Sequence, residues 1–144
     1  MTIEVRIADF EKEQEFLRLI RFMVFVEEQQ VPAEMEMDDE DLVCIHVLAL
    51  YEGEPVGTGR IDIGKAGKIG RVAVLSSRRR QGVGEAVMTL LHDLARQNAL
   101  AGVWCNAQVS AVPFYENLGY RVTSAEPFDE AGIPHLRMEY DCSS

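Results

Sequence analysis

The sequence predicts an α/β fold: a mixed, mostly antiparallel central sheet of about six to seven strands with helices on both of its faces. Three observations point to this class. In the first half, three strand-like segments follow one another through tight turns. A long amphipathic helix comes directly after the third of them. Short strand-like and helical segments then alternate to the C-terminus, an order typical of a sheet covered by helices.

The first half is predicted to contain one strand, one helix and a three-stranded antiparallel meander. The helix covers residues 10–28 and has Phe16, Ile20, Met23 and Val24 at helical spacing. An acidic loop over residues 29–41 leads into the meander, whose strands are separated by glycine-containing turns. The four predicted strands of this half are residues 3–7, 43–51, 56–63 and 68–75.

The second half opens with the clearest helical pattern of the chain, residues 84–97. His92 lies off its apolar stripe and is predicted to be at the surface. A buried strand over residues 103–107 leads to a short helix over residues 111–118, with Ser110 as the predicted N-cap. Two final strands, residues 120–124 and 136–140, are joined by a loop. The aliphatic stripe of the long helix consists of Val83, Val87, Leu90, Leu91 and Leu94.

Length and composition limit the possible classes of protein. The 144 residues fit one domain, residues 1–144. No apolar run approaches the roughly 20 residues of a membrane span, and no signal-peptide pattern is present, so the cytoplasm is the expected location. Cys44, Cys105 and Cys142 are widely spaced and are expected to be thiols, without a disulfide or a metal site. The net charge of −10 argues against nucleic acid as a partner.

The negative charge is concentrated in one segment. Eight acidic residues and no Lys or Arg lie between Glu27 and Asp41. One interpretation is a solubilising loop. The other is a negative rim that attracts a cationic substrate.

The most informative motif lies between residues 71 and 84. An apolar strand enters a turn with three consecutive arginines, the turn contains Gly82 and Gly84, and the long helix follows. Small residues let backbone N–H groups approach a phosphate, and the helix N-terminus adds partial positive charge. A Walker loop is excluded because Glu85 follows the second glycine. A dinucleotide fingerprint lacks its third glycine, because Val87 occupies that position.

Arg79, Gly82 and Gly84 satisfy the pattern [Arg/Gln]-x-x-Gly-x-[Gly/Ala]. In this the chain resembles the GNAT superfamily of acetyl-coenzyme A-dependent N-acetyltransferases, and within it the small bacterial ElaA/YjcF-like branch. The resemblance implies that the turn holds the coenzyme A pyrophosphate and that the preceding strand pairs with the pantetheine through its backbone, with the Val74 N–H polarising the thioester. The residues so implied are Val72, Ala73, Val74, Arg78, Arg79, Arg80, Gln81, Gly82, Val83 and Gly84.

A second motif follows about 30 residues later. Phe114, Tyr115, Gly119 and Tyr120 match the Phe-Tyr-x-x-x-Gly-Phe/Tyr segment of GNAT proteins. Phe114 is expected to pack inward and to adjoin the coenzyme, while Tyr115 is turned by about 100° to another face. The resemblance makes Tyr115 the acid that protonates the departing thiolate. The alternative is an aromatic cap over the core.

Asn106 lies near the end of the strand between the two motifs. Its amide could bind the pantetheine arm, or it could simply form a turn.

The implied reaction is direct attack by a primary amine on acetyl-coenzyme A, with both substrates bound together. The amine belongs to a small cationic molecule or a peptide, and a homodimer is possible. An alkylammonium must first lose a proton. Glu28 and His135 are the candidate bases that we carry forward, with Glu27 and His46 as further candidates, although His46 lies in an apolar strand and could be a core residue. The alternative functions are a coenzyme A-binding regulatory module without turnover and a nucleotide-binding domain.

Overall fold

An eight-stranded sheet forms the centre of the protein in a computed structural model that describes residues 2–32 and 38–143. One helix covers one face of the sheet, and a second, longer helix covers the other, as the sequence predicts. The strands are β1 (Ile3–Ile7), β2 (Ile45–Tyr51), β3 (Glu54–Asp62), β4 (Lys68–Val74), β5 (Gly102–Gln108), β6 (Arg121–Val122), β7 (Phe128–Glu130) and β8 (Ile133–Asp141). The helices are α1 (Phe10–Arg21), α2 (Val83–Gln97) and α3 (Val112–Asn117).

The strand order is β1-β2-β3-β4-β5-β8-β6, and β7 pairs with β8. The predicted meander is confirmed, since β2, β3 and β4 are successive antiparallel neighbours. The pairing of β4 with β5 is parallel, whereas every other recorded pair is antiparallel. The long crossover from β4 to β5 is α2, as a parallel connection requires.

Helix α2 packs tightly on the meander. Val83, Val87, Leu91 and Leu94 of its predicted stripe are buried, and Leu90 is partly buried. The approach is close because β3 presents glycines to the helix. A Cβ added at Gly59 would lie 3.0 Å from both Leu91 and Val87. Odd-numbered positions of this part of β3 therefore face α2, and Thr58, Arg60 and Asp62 face the opposite side.

Helix α1 covers that opposite side. Asp9 caps its N-terminus by accepting a hydrogen bond from the Lys12 N–H. After Arg21 the helix continues as a wider π-helical segment, Phe22–Glu28. The prediction that Phe16 and Met23 belong to the apolar face is wrong, because each is 44% exposed. The buried face instead consists of Leu17, Ile20, Arg21 and Val24.

Three predictions for the second half are also wrong. Helix α3 begins at Val112 after a short 3₁₀ turn, and the Ser110 side chain makes no cap. The predicted loop before the last strand contains β7. His92 is buried, and its Nε2 is hydrogen-bonded to the Tyr120 hydroxyl at 2.7 Å. Burial lowers the pKa of His92 to about 4, so the imidazole is neutral at pH 7.

The acidic segment is folded onto the sheet by ion pairs. Asp41 is buried and accepts hydrogen bonds from Arg21 at 3.0 and 3.1 Å and from Arg60 at 2.7 Å. Arg60 also binds Asp38 and Glu40. These carboxylates are therefore neutralised within the protein and form neither a free negative rim nor a merely solubilising loop. Glu34 and Glu36 lie outside the described residues.

His46 is a core residue, as one interpretation of the sequence held. Its Nε2 lies 2.9 Å from the Asp41 carbonyl oxygen, to which it donates in the matching tautomer. Burial lowers the pKa of His46. Cys44, Cys105 and Cys142 are free thiols, as predicted. Among the described residues, no helix combines the length and apolarity needed to span a membrane.

We expect Asp41→Asn to destabilise the fold by about 2 to 3 kcal/mol, because two buried guanidinium groups lose their counter-charge. Burial favours the neutral acid, but Arg21 and Arg60 outweigh it and lower the pKa of Asp41. The stabilisation is thus present above the unfolded-state pKa near 3.9 and is lost as the pH falls through the lower folded-state value.

Urea unfolding at pH 7 and below about pH 4 measures both effects. The difference between wild type and Asp41→Asn should narrow in acid. Asp39→Asn is the control, because Asp39 lies in the same 3₁₀ turn, is exposed and makes no ion pair with a described residue. Equal stability of the Asp41 variant and wild type at pH 7 would contradict the prediction.

Candidate active site

The sheet opens between β4 and β5. The two strands pair only at Lys68 with Trp104 and at Ile69 with Cys105, although both continue well beyond these positions. The separation begins where Arg71 adopts a left-handed backbone conformation, with φ of +52°, next to an irregularity in the β3–β4 register. This bulge turns β4 away from β5 and leaves the facing backbone edges without a partner strand.

One edge of this gap carries backbone donors. The Leu75 N–H bonds the Val56 carbonyl on β3, and Ala73 is opposite Thr58. Because N–H directions alternate along a strand, the Ala73 N–H also points to β3, and those of Val72 and Val74 point into the gap. Of the three residues predicted to pair with the pantetheine, only Val72 and Val74 therefore direct their backbone N–H groups into the gap.

The gap leads to the basic turn and the start of α2. Arg80 and Gly82 have φ values of +62° and +86° on either side of Gln81, an arrangement that turns successive N–H groups toward one side. Gly82 is the N-cap residue of α2 and makes no side-chain cap. The first-turn N–H groups of Val83, Gly84 and Glu85 have no acceptor among the described residues. This end of α2 can accordingly receive an anion.

The three arginines of the turn have different environments. Arg78 stacks on Tyr51, with its Cζ 4.0 Å from the ring centroid. Arg79 donates to Glu28 at 2.6 and 2.8 Å and to the Val74 carbonyl at 3.0 Å. The Arg80 guanidinium lines the gap and pairs with no described residue. Arg80 is thus the one of the three that is available to an anionic ligand.

A cleft of about 1260 Å³ joins the gap, the turn and α3. This exceeds the roughly 300–1,000 Å³ of a typical small-molecule site, so there is room for two ligands. Glu28, Arg78, Gln81 and Val83 are the predicted site residues that do not line the cleft. Those that do are Val72, Ala73, Val74, Arg79, Arg80, Gly82, Gly84, Asn106, Phe114, Tyr115 and His135.

The aromatic pair of α3 is oriented opposite to expectation. Tyr115 is the inward residue and is 8% exposed, whereas Phe114 is 36% exposed. Phe114 lies over the start of α2, where a Cβ added at Gly84 would be 3.2 Å from its ring. The Tyr115 hydroxyl has no hydrogen bond to a described residue and belongs to the cleft wall. It is therefore free to bond a ligand.

His135 and Asn106 lie on the opposite wall, on β8 and β5. His135 is buried, and its Nδ1 lies 2.7 Å from the Ile133 carbonyl oxygen. A carbonyl only accepts, so Nδ1 carries the proton, and Nε2 lies 3.6 Å from the Glu130 carboxylate. Asn106 belongs to the strand and not to a turn, and its amide is 3.4 Å from Glu130.

The sequence analysis missed the charged end of the cleft, which lies where β4 and β5 still pair. Arg60, Asp62 and Lys68 reach it from neighbouring strands, together with Asp38 and Glu40. The sequence does contain a signal for this charged end. Arg60 and Asp62 alternate with Gly59 and Ile61, so the two charged side chains lie on one face of the predicted strand. Among the residues described, no three His, Cys, Asp or Glu are arranged to hold a metal ion.

A sheet that opens beside an uncapped helix and a basic turn can receive an extended ligand that ends in an anionic group. Residues 7–142 match the family model described as "Acetyltransferase (GNAT) domain", and the chain belongs to this family of acetyltransferases. The resemblance in the two sequence motifs is thereby confirmed.

Individual relatives agree with this assignment. The Bacillus subtilis (strain 168) protein named "Uncharacterized N-acetyltransferase YjcF" is 46% identical over 124 residues, which cover 85% of this chain and 88% of the relative. Escherichia coli ElaA matches with a TM-score of 0.85 at 26% identity, over 97% of this chain and 100% of that one. An acyl-CoA N-acyltransferase from Pseudomonas aeruginosa matches with a TM-score of 0.82 at 28% identity, over 96% and 99%.

Proposed function

We propose that this acetyltransferase moves the acetyl group of acetyl-coenzyme A to a primary amine of a small cationic molecule or a peptide, with both substrates bound together. The observation that carries the proposal is the gap between β4 and β5, which runs to the uncapped N-terminus of α2. A chain of amides ending in a pyrophosphate fits such a gap, because it can replace the missing strand and end on the helix.

The donor is held mainly by backbone atoms. Val72 and Val74 pair with the amides of the pantetheine arm, and Asn106 approaches it from β5. The N–H groups at the start of α2 bind the pyrophosphate, and Arg80 adds a full positive charge. Arg79 keeps the turn in place through Glu28 and the Val74 carbonyl. Phe114 covers Gly84 and closes the cleft at this point.

In the reaction, the neutral amine nitrogen attacks the thioester carbonyl carbon. A C–N bond forms, the C–S bond breaks, and the electron pair goes to the sulfur. The Val74 N–H stabilises the negative charge that develops on the carbonyl oxygen. The Tyr115 hydroxyl has no partner among the described residues and lies in the cleft wall, so it can hydrogen-bond the departing sulfur and donate its proton to it. The products are the N-acetyl amine and the free thiol.

The proton lost by the amine needs an acceptor, and we assign it to Nε2 of His135. His135 lines the cleft, and because Nδ1 donates to the Ile133 carbonyl, Nε2 is the ring nitrogen that can accept a proton; it lies 3.6 Å from the Glu130 carboxylate. Glu28 is the other candidate. Its two oxygens accept hydrogen bonds from Arg79 outside the cleft lining, so it must leave that ion pair before it can act.

We expect His135→Gln to lower kcat/KM at pH 7 roughly 10- to 100-fold, because the amine then depends on water for its deprotonation. The loss should shrink as the pH approaches the amine's own pKa near 10. Steady-state rates from pH 6 to about 10 measure this. Glu28→Gln is the matched comparison, and a larger loss in that variant would move the assignment to Glu28.

The proposed function is tested by acetyl-coenzyme A consumption with a panel of amines that includes polyamines, aminoglycosides and Lys-containing peptides, with product identified by mass. Calorimetry with acetyl-coenzyme A, ATP and NAD accompanies it. Selective binding of acetyl-coenzyme A with turnover of an amine supports the proposal. Binding without turnover of any amine indicates the regulatory module, and preference for ATP or NAD indicates a nucleotide-binding domain.

A further inference from the structure

Asp62 is a buried carboxylate that the catalytic scheme does not use. It is the last residue of β3, is 5% exposed and belongs to the wall of the cleft. Its side chain has no hydrogen bond or ion pair with any residue of the described ranges. Other carboxylates nearby do have partners. Asp38, Glu40 and Asp41 all bind Arg60, which lies on β3 like Asp62.

Such a carboxylate is costly for the fold. Burying an ion costs several kcal/mol, even after relaxation, unless a counter-charge and hydrogen bonds compensate. The described residues contain no fully enclosed side-chain polar atom without a partner. The Asp62 oxygens are therefore not fully enclosed, and the residue belongs to the cleft wall. A group with no structural partner that opens into a substrate cleft is suited to a ligand.

The nearest expected partner does not neutralise Asp62. Lys68 is opposite Asp62 in the β3–β4 register, so their side chains share one face of the sheet. The Lys68 ammonium nonetheless lies against Trp104, 5.5 Å from the ring centroid, and forms no ion pair with Asp62. The Cys44 thiol, on the same side, is neutral at pH 7, because burial raises its pKa to about 11. Lys65 is the other nearby cation, but its ammonium is bound to Glu40, so no cation of the described residues bonds directly to Asp62.

The position of Asp62 separates it from the reacting atoms. Val72 is four residues along β4 from Lys68, which corresponds to about 13 Å of strand. A nitrogen bound to Asp62 is therefore not the nitrogen that attacks the thioester. It must also remain charged to bind a carboxylate, whereas the attacking nitrogen must be neutral.

We propose that Asp62 binds a second, non-reacting cationic group of the acceptor, and that the acceptor class is molecules with two basic nitrogens separated by a chain of several carbons. This rests on the proposed acetyl transfer to an amine and narrows its substrate class. Asp62 is a specificity-determining residue and takes no part in proton transfer.

The test compares linear diamines, from diaminobutane to diaminooctane, with monoalkylamines of equal chain length in wild type and in Asp62→Asn. Wild type should show a KM at least about tenfold lower for the best diamine than for its monoamine partner, as expected for one charged hydrogen bond. Asp62→Asn should abolish that preference by raising the KM of the diamine to that of its monoamine partner. Asp39→Asn, an exposed charge change outside the cleft lining, should behave like wild type.

Equal loss with monoamines and diamines in Asp62→Asn would overturn the inference, because it indicates a catalytic or structural role. An equal effect of Asp39→Asn would also overturn it, because it indicates long-range attraction. If the wild type acetylates monoamines and diamines equally well, the proposed role of Asp62 is overturned, but the proposed acetyl transfer is not.

Calorimetric titration of the diamine gives a readout that does not need turnover. Binding should weaken at least about tenfold in Asp62→Asn, even if no amine is acetylated and the proposed function fails. Undiminished binding would refute the inference. Thermal unfolding completes the test, because removing an unpaired buried charge should leave the melting temperature equal or higher. A lower value would make Asp62 a structural residue.

Discussion

Replacing Gly82 by Glu should weaken acetyl-coenzyme A binding at least about a thousandfold, or about 4 kcal/mol. Gly82 is the N-cap residue of α2 and lies where the pyrophosphate is proposed to bind. A Cβ there would meet no protein atom within 4 Å, so the side chain is not excluded by packing. It would instead extend toward the phosphate and bring a negative charge against it. Isothermal titration calorimetry measures the change.

Gly53→Glu is a closely matched control. Gly53 lies in the β2–β3 turn and has φ of +84°, against +86° for Gly82, and an added Cβ is equally uncrowded there. Both variants therefore carry the same new charge and a similar backbone penalty of about 1 kcal/mol. Both should lose similar stability, while only the Gly82 variant should lose affinity. Equal affinity in the two variants would remove the pyrophosphate from this turn.

Tyr115→Phe should lower kcat about 100- to 1000-fold while leaving the affinity for acetyl-coenzyme A within about twofold of wild type. The change deletes one hydroxyl, which has no hydrogen-bond partner among the described residues and opens into the cleft. The ring and its contacts with Phe114 and Tyr120 stay in place. The free energy of unfolding should thus change little, and the decrease in kcat should come from a slower chemical step. Single-turnover kinetics with a saturating amine isolates that step.

Tyr120→Phe provides the comparison. Its hydroxyl is also buried, but it is hydrogen-bonded to His92 and is not part of the cleft wall. Deleting it should cost about 1 kcal/mol of stability and leave kcat near wild type. If Tyr115→Phe turned over as fast as wild type, the hydroxyl would have no part in the reaction and Tyr115 would only pack against the core.

Local patterns in the sequence predicted the elements that depend on local physics. The meander follows from apolar segments divided by tight turns, and α2 follows from its aliphatic stripe. The turn from Arg78 to Gly84 was predictable because its glycines and charges are adjacent in sequence. The split between β4 and β5 was not predicted, since no local pattern marks the two strands as neighbours that separate; the family resemblance implied only that the strand before the turn pairs with the pantetheine.

The predictions that were wrong concern features that depend on contacts between segments far apart in the sequence. Helical geometry gives the angle between Phe114 and Tyr115 but not which one faces inward, because docking of a six-residue helix decides that. His92 is buried because Tyr120 and Tyr140 cover it from another part of the chain. Asp62 fell within the predicted strand of residues 56–63 and carried no functional prediction; only the three-dimensional arrangement shows that it lacks a bonded partner among the described residues.

The proposed donor-binding edge between β4 and β5 consists of main-chain amides, and this affects how binding of the donor responds to mutation. Every residue except proline supplies the same N–H, so substitutions at Val72 and Val74 leave these donors intact. The opposite end of the cleft is defined by the side chains of Arg60, Asp62 and Lys68, each of which a single codon change can alter. Such a division lets acceptor choice drift freely during evolution while use of the acyl donor is inherited unchanged.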